Sequence, residues 1–234
     1  MGVPSVLFEI KNLFFPLECL GCATPGDFLC RNCLTQCLPP AHLTCPSCNY
    51  RSPVGGVHPR CSKAYAIDGI FAAGSLKEPL MHLAIKRLKY ANVKDLSKPL
   101  ALFLAMKLKE NFEQFILNQN FCITFVPLHP KREQKRGYNQ SELLAKNLSL
   151  LTELPITSAI ARTKDTEDQT KLKKEQRTEN VKSAFKLAPE TEVKNKNFFI
   201  VDDVTTTGST LKECAKVLKR NGANLVWGLA VARE

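Results

Sequence analysis

The chain has 234 residues, a formal net charge of +11 and ten cysteines. That length buries a full core and leaves room for an accessory module. The excess of Lys and Arg favours polyanionic partners such as phosphorylated ligands, nucleic acid or an anionic membrane surface, and no stretch approaches the ~20 apolar residues of a membrane span.

Phe8 to Leu17 is apolar and leads into the cysteines. Glu9 and Lys11 interrupt it and no small-residue cleavage site follows, so no secretory signal is expected. Eight of the ten cysteines lie between Cys19 and Cys61. In a reducing cytosol such thiols read as metal ligands rather than disulfides. Cys19-x-x-Cys22 and Cys30-x-x-Cys33 supply the four thiolates that a tetrahedral structural Zn²⁺ needs. Cys45, Cys48 and Cys61 form a second, incomplete set, with His58 on a loop as a fourth donor; an isolated loop histidine is more commonly solvated. The alternative pairs Cys19 and Cys22 with Cys45 and Cys48. Cys37, Cys122 and Cys214 read as structural thiols. A boundary is expected near residue 65, giving a module over 1–65 and a second domain over 66–234.

Ala66 to Leu76 reads as strand and turn. Pro79 opens an amphipathic helix to Tyr90, whose polar positions include Lys86, Arg87 and Lys89; this basic face could track a phosphate backbone. Leu96 to Phe115 is a second amphipathic helix. Phe121 to Leu128 is a buried strand, followed by a loop carrying Lys131, Arg132, Lys135 and Arg136, cations suited to an anion. Ser141 starts a helix to about Leu151. Arg162 to Lys182 is polar, with both charge signs and few apolar anchors, the mark of a disordered or functional loop.

Phe198 to Val201 is a short apolar run, a strand buried on both faces. Asp202 and Asp203 follow, and must either surface or meet donors. Thr205, Thr206, Thr207, Gly208, Ser209 and Thr210 then lead into a helix over Leu211–Arg220, stopped at Asn221-Gly222. Backbone N–H groups of such a loop and of a helix N-terminus cradle phosphate. The carboxylates repel phosphate but accept hydrogen bonds from the vicinal hydroxyls of a ribose. The stretch thus fits a ribose 5-phosphate. Neither a Walker loop nor a Gly-x-Gly-x-x-Gly is present. Leu225 to Val231 is the last strand.

The run Val201-Asp202-Asp203-Val204-x-Thr206-Thr207-Gly208-x-Thr210 resembles the phosphoribosyl pyrophosphate (PRPP) motif of type I phosphoribosyltransferases. With the segment Met81 to Tyr90, the block Pro127 to Gln140 and the amino-terminal cysteines, the whole chain resembles the ComF family. The resemblance implies an α/β domain of type I phosphoribosyltransferase fold, with a mainly parallel sheet, behind a small zinc-ribbon module. It implies that pyrophosphate lies at the loop carrying Lys131, Arg132, Lys135 and Arg136. It implies that Gln169, Leu172, Arg177, Asn180 and Phe185 belong to a mobile loop closing over PRPP, with Arg177 beside the pyrophosphate. Mg²⁺ would accompany the pyrophosphate. The chain departs from the family's double ribbon at Ala64, where Cys61 would find its partner.

Two functions follow from the resemblance. One is a PRPP-binding, zinc-containing protein of natural transformation, handling incoming single-stranded DNA in the cytoplasm, with DNA held at Lys86, Arg87 and Lys89. It would work beside DNA-uptake or recombination proteins at the inner face of the cytoplasmic membrane. The alternative is an active phosphoribosyltransferase that releases pyrophosphate to an unidentified acceptor; no acceptor motif is legible.

Overall fold

A computed structural model of the chain describes residues 17–40, 42–64, 66–117, 119–166, 176 and 179–234. Six strands are described: β1 (Gly69–Ser75), β2 (Phe121–Phe125), β3 (Ile160–Arg162), β4 (Phe185–Leu187), β5 (Asn197–Thr205) and β6 (Val226–Arg233). The helices are α1 (Arg31–Gln36), α2 (Pro79–Tyr90), α3 (Ser97–Leu117), α4 (Pro130–Arg136), α5 (Gln140–Thr152) and α6 (Ser209–Arg220).

The main sheet runs β1-β6-β5-β2 with every pair parallel. Its two inner strands alternate between two cores. Phe199 and Val201 of β5, with Trp227, Leu229 and Val231 of β6, join one apolar cluster with Leu88, Leu100, Leu104 and Leu144 from α2, α3 and α5. Phe198 and Ile200 face the other cluster, with Leu211, Cys214 and Leu218 of α6. Strands covered on both faces need apolar residues at consecutive positions, which is why the sequence reads as an unbroken apolar run there.

The amino-terminal module packs onto the β1 edge. Ile70 N–H donates to Gly55 O at 2.9 Å and Val57 N–H to Asp68 O at 2.8 Å, around an antiparallel bridge between Gly56 and Gly69. An otherwise open edge is thereby capped. Leu29, Leu34 and Cys37 of the module share the first cluster with Phe71 and Phe103. The residues on either side of the expected boundary therefore have one continuous core.

Two features differ from the sequence reading. Pro130 to Arg136, read as a loop, is the helix α4: Pro130 occupies its first turn, the His129 side chain accepts from Lys131 N–H, and Gly137 closes it at φ 80°. None of its residues is buried, so it carries no apolar period to read. The polar stretch after residue 162 is framed by an antiparallel pair, β3 with β4. Gln169, Leu172 and Arg177 lie outside the described residues.

Candidate ribose-phosphate site and cysteine clusters

β5 continues through both aspartates to Thr205. Only 9% of Asp202 and 2% of Asp203 is exposed, so the pair meets donors instead of surfacing. Asp202 Oδ1 accepts from Ser141 Oγ and from the backbone N–H of Asp203, each at 2.9 Å. Asp203 Oδ1 accepts from Val204 N–H at 2.7 Å. Its Oδ2 lies 2.9 Å from the Lys89 amine. Burial, and then the neighbouring Asp203, push the Asp202 carboxyl up to about 7, against the pull of Lys89 and Ser141. Burial depresses the Lys89 amine, but Asp203 and Asp202 outweigh it and hold its pKa above the usual lysine range.

The chain then turns through Thr206 and Thr207 into α6. Gly208 sits at φ +73°, and a Cβ there would meet Ile70 Cδ1 at 2.4 Å. The left-handed backbone is what demands glycine, since the isoleucine tip could move. Thr207 Oγ1 accepts from Ser209 N–H at 3.3 Å and shares a 2.5 Å hydrogen bond with Ser209 Oγ. Thr205 O accepts from Glu234 N–H at 3.1 Å, tying the loop to the end of β6.

Two cavities meet at the carboxylates. One, of about 490 Å³, is lined by Thr205 to Leu211 on one side and by His82, Ile85, Lys86, Lys89 and Tyr90 of α2 on the other. Its wall is rich in hydroxyls and is closed by the N-terminus of α6. The second, of about 610 Å³, holds Arg132, Lys135, Arg136 and Arg162 with Asp202 and Asp203. Lys89, Tyr90, Asp202, Val204 and Thr210 line both. An anion fits each chamber, and a polyol fits between them at the carboxylates.

The expected residues divide cleanly. Asp202, Thr205, Thr206, Thr207, Gly208, Ser209 and Thr210 line the first chamber, and Asp203 lines the second beside Asp202 and Thr210. Arg132, Lys135 and Arg136 line the second chamber, whereas the Lys131 side chain is 79% exposed and lies 4.0 Å from Asp165. The expected DNA-binding residues differ in exposure. Lys86 and Arg87 are exposed, but Lys89 turns inward to Asp203, so its charge is spent on a carboxylate rather than offered to a phosphate backbone.

Sequence reasoning missed three contributors. Ser141 looks like an ordinary helix start, yet its hydroxyl reaches Asp202 across 61 residues. It is aimed by Asn139, the N-cap of α5, whose side chain accepts from Ser141 N–H and donates to Val126 O. Tyr138 donates its hydroxyl to Leu88 O, pinning the last turn of α2 beside Lys89. Arg162 stands in the second chamber, its guanidinium 5.5 Å from the Phe185 ring and bonded to Thr166 Oγ1. Burial and then Arg132 lower its pKa. Two guanidiniums brought together this way favour an anion between them.

The cysteines form two sets whose ligand atoms lie within 4.8 Å of one another: Cys19, Cys22, Cys30 and Cys33, and Cys45, Cys48, His58 and Cys61. The pairing of Cys19 and Cys22 with Cys45 and Cys48 is not formed. Either set could hold a metal ion. Burial raises Cys19 and Cys45, but backbone N–H donors, Cys30 foremost for the first and Cys48 for the second, bring each down to about 6. So many thiols this close cannot all ionise without a cation. His58 takes the place where Ala64 offers no ligand: Nδ1 lies 3.3 Å from Cys48 Sγ, and Nε2 lies 3.1 Å from Arg51 O. A carbonyl beside Nε2 fixes the proton there and leaves the Nδ1 lone pair for a metal.

The phosphoribosyl transferase domain family matches residues 134–232. Competence protein F of Haemophilus influenzae is 37% identical over 169 residues, covering 70% of this chain and 73% of that protein. The chain belongs to the ComF family. Its α/β domain accordingly has the type I phosphoribosyltransferase fold. A second ComF relative, DNA utilization protein YhgH of Escherichia coli O157:H7, is 38% identical over 149 residues, 63% of this chain and 65% of that protein. Competence protein ComFC of Bacillus subtilis is 29% identical over 111 residues, 47% of this chain and 43% of that protein. No helix among the described residues is long and apolar enough to cross a membrane.

Proposed function

We propose that this ComF protein binds PRPP and serves in the use of incoming DNA, handling single strands on the cytoplasmic side. The observation that carries the ligand reading is the junction of the two chambers at Asp202 and Asp203. The hydroxyl-lined loop and the α6 N-terminus take the 5-phosphate. The carboxylates accept the ribose hydroxyls. Arg132, Lys135, Arg136 and Arg162 take the pyrophosphate, with Arg177 of the polar stretch as a further candidate. The names of the relatives in Haemophilus, Escherichia and Bacillus support the DNA role.

Residues 1–65 form the metal-bearing unit in this reading, with Zn²⁺ in both sets. Cysteine-rich tetrahedral sites suit that ion, and a Cys₃His set suits it as well as Cys₄. When bound, it ties the loops of the module together and supplies no chemistry to the pocket. Lys86 and Arg87, on the exposed side of α2, supply contacts to single-stranded DNA.

A second reading is transfer of the phosphoribosyl group to an acceptor. Breaking the bond at C1 places positive charge on the ring and negative charge on the leaving pyrophosphate. The carboxylates beside the ring and the arginines beside the leaving group suit both changes. Pyrophosphate release from PRPP, measured alongside single-stranded DNA binding at two salt concentrations, separates the readings. Salt-sensitive DNA binding without release supports the binding role; release that depends on an added acceptor supports the transferase.

A further inference from the structure

The carboxylate pair is where a divalent cation would be sought in such a pocket, and its geometry does not suit one. Two of its four oxygens accept hydrogen bonds, Asp202 Oδ1 from Ser141 and Asp203 N–H and Asp203 Oδ1 from Val204 N–H, and a third, Asp203 Oδ2, has the Lys89 charge at 2.9 Å without a hydrogen bond. Mg²⁺ demands a near-octahedral oxygen shell at about 2.1 Å. Here an ammonium group already stands 2.9 Å from the oxygen it would need. Among the described residues, the groups of three or more metal-ligating side chains are the two cysteine sets, and neither includes Asp202 or Asp203.

Lys89 is also held firmly. It follows Leu88, which is wholly buried and whose carbonyl accepts from Tyr138. Lys89 and Tyr90 of α2, Arg162 of β3 and Cys214 of α6 face the pair, with His82, Lys86 and Glu234 around the first chamber and Arg132, Lys135 and Arg136 across the second. Among the described residues, Lys89 is the cation within ion-pair distance of either carboxylate.

We propose that Lys89 is the built-in counter-ion of Asp202 and Asp203, a positioning residue that keeps both carboxylates ready to accept ribose hydroxyls and makes recognition of the ribose 5-phosphate moiety independent of divalent metal. A nearby cation opposes the cost of placing two buried carboxylates side by side. Mg²⁺, where it acts, enters with the pyrophosphate of the ligand, on the ligand's own oxygens and water. This inference rests on the ribose-phosphate reading above and deepens it.

The test is calorimetric titration of the full chain with ribose 5-phosphate, in EDTA and in Mg²⁺, for wild type, K89R, K89Q and K89M. Wild type and K89R bind equally well in both solutions. K89M and K89Q bind about ten-fold or more weakly in EDTA, the size of one charge-assisted hydrogen bond, and recover part of this in Mg²⁺ as the ion takes up the role of the missing ammonium. The glutamine variant keeps a polar side chain and carries the test if the methionine variant does not fold, as read by circular dichroism. Wild-type binding that requires Mg²⁺, or unchanged binding in K89Q and K89M, overturns the inference. Absence of wild-type binding in both solutions overturns the ribose-phosphate reading itself.

Discussion

The hydroxyl of Ser141 donates to Asp202 Oδ1 at 2.9 Å, joining the first turn of α5 to the end of β5. The contact favours the ionised carboxylate, so removing it raises the Asp202 pKa further above about 7. Ser141→Ala is expected to weaken ribose 5-phosphate binding by ~1.5–3 kcal/mol at neutral pH. The pH at which binding is lost should move upward. Titrations across pH 6 to 9, compared with wild type, check both effects.

The same carboxyl links stability to pH. Its pKa rises on folding from 3.8 to about 7, so the folded state holds the proton more tightly. The stabilisation is fully present below the unfolded value and is lost as pH rises through about 7. Asp202→Asn, which cannot ionise, is expected to raise the melting temperature at pH 8 and to change it little at pH 5. Thermal melts at the two values decide this.

Much of this site is legible in the residues. An apolar run ending in two aspartates and a hydroxyl-rich, glycine-bearing loop yields strand, pocket wall and helix without a structure. Lys89 is not legible, because on a helical wheel it is one basic position among several, and only the packing of α2 turns it to Asp203. Ser141 and Arg162 are hidden for the same reason: their partners are distant in sequence. His58 is legible as a candidate fourth donor of the second cysteine set, but its approach to Cys48 depends on loop geometry that the residues do not show.

Arg162 should separate pyrophosphate from ribose. Arg162→Gln removes a cation from the second chamber and leaves the carboxylates and the hydroxyl loop in place. Affinity for inorganic pyrophosphate is expected to fall by ~1.5–3 kcal/mol, with ribose 5-phosphate binding little changed. Competition titrations with the two ligands measure the split.

The two cysteine sets should hold about two zinc ions per chain, and His58→Ala should reduce this to about one, since a three-ligand site keeps an open position. Metal analysis of freshly purified protein checks the count. Because the module shares its apolar cluster with the sheet, chelation is expected to lower the melting temperature of the whole chain, as metal binding and folding free energy are linked.

Neutralising Lys86 and Arg87 together should reduce the salt dependence of single-stranded DNA binding, by ~0.7 in log–log slope for each phosphate that is no longer neutralised. Arg87→Gln alone, at a residue that lines neither chamber, should leave PRPP affinity little changed, whereas Lys86 lines the hydroxyl-rich chamber. Replacing Lys89 should lower PRPP affinity and leave the salt dependence of DNA binding little changed. Binding isotherms at several salt concentrations distinguish the exposed pair from the buried lysine.

The central claim is that Asp202 and Asp203 hold the ribose of PRPP, and the direct measurement is calorimetry of PRPP binding to wild type and to the Asp202→Ala, Asp203→Ala double variant, with folding verified by circular dichroism. The expected result is saturable binding by wild type and a loss of ~2–4 kcal/mol in the double variant, as charged-group hydrogen bonds are removed. Equal affinity in a folded double variant contradicts the account.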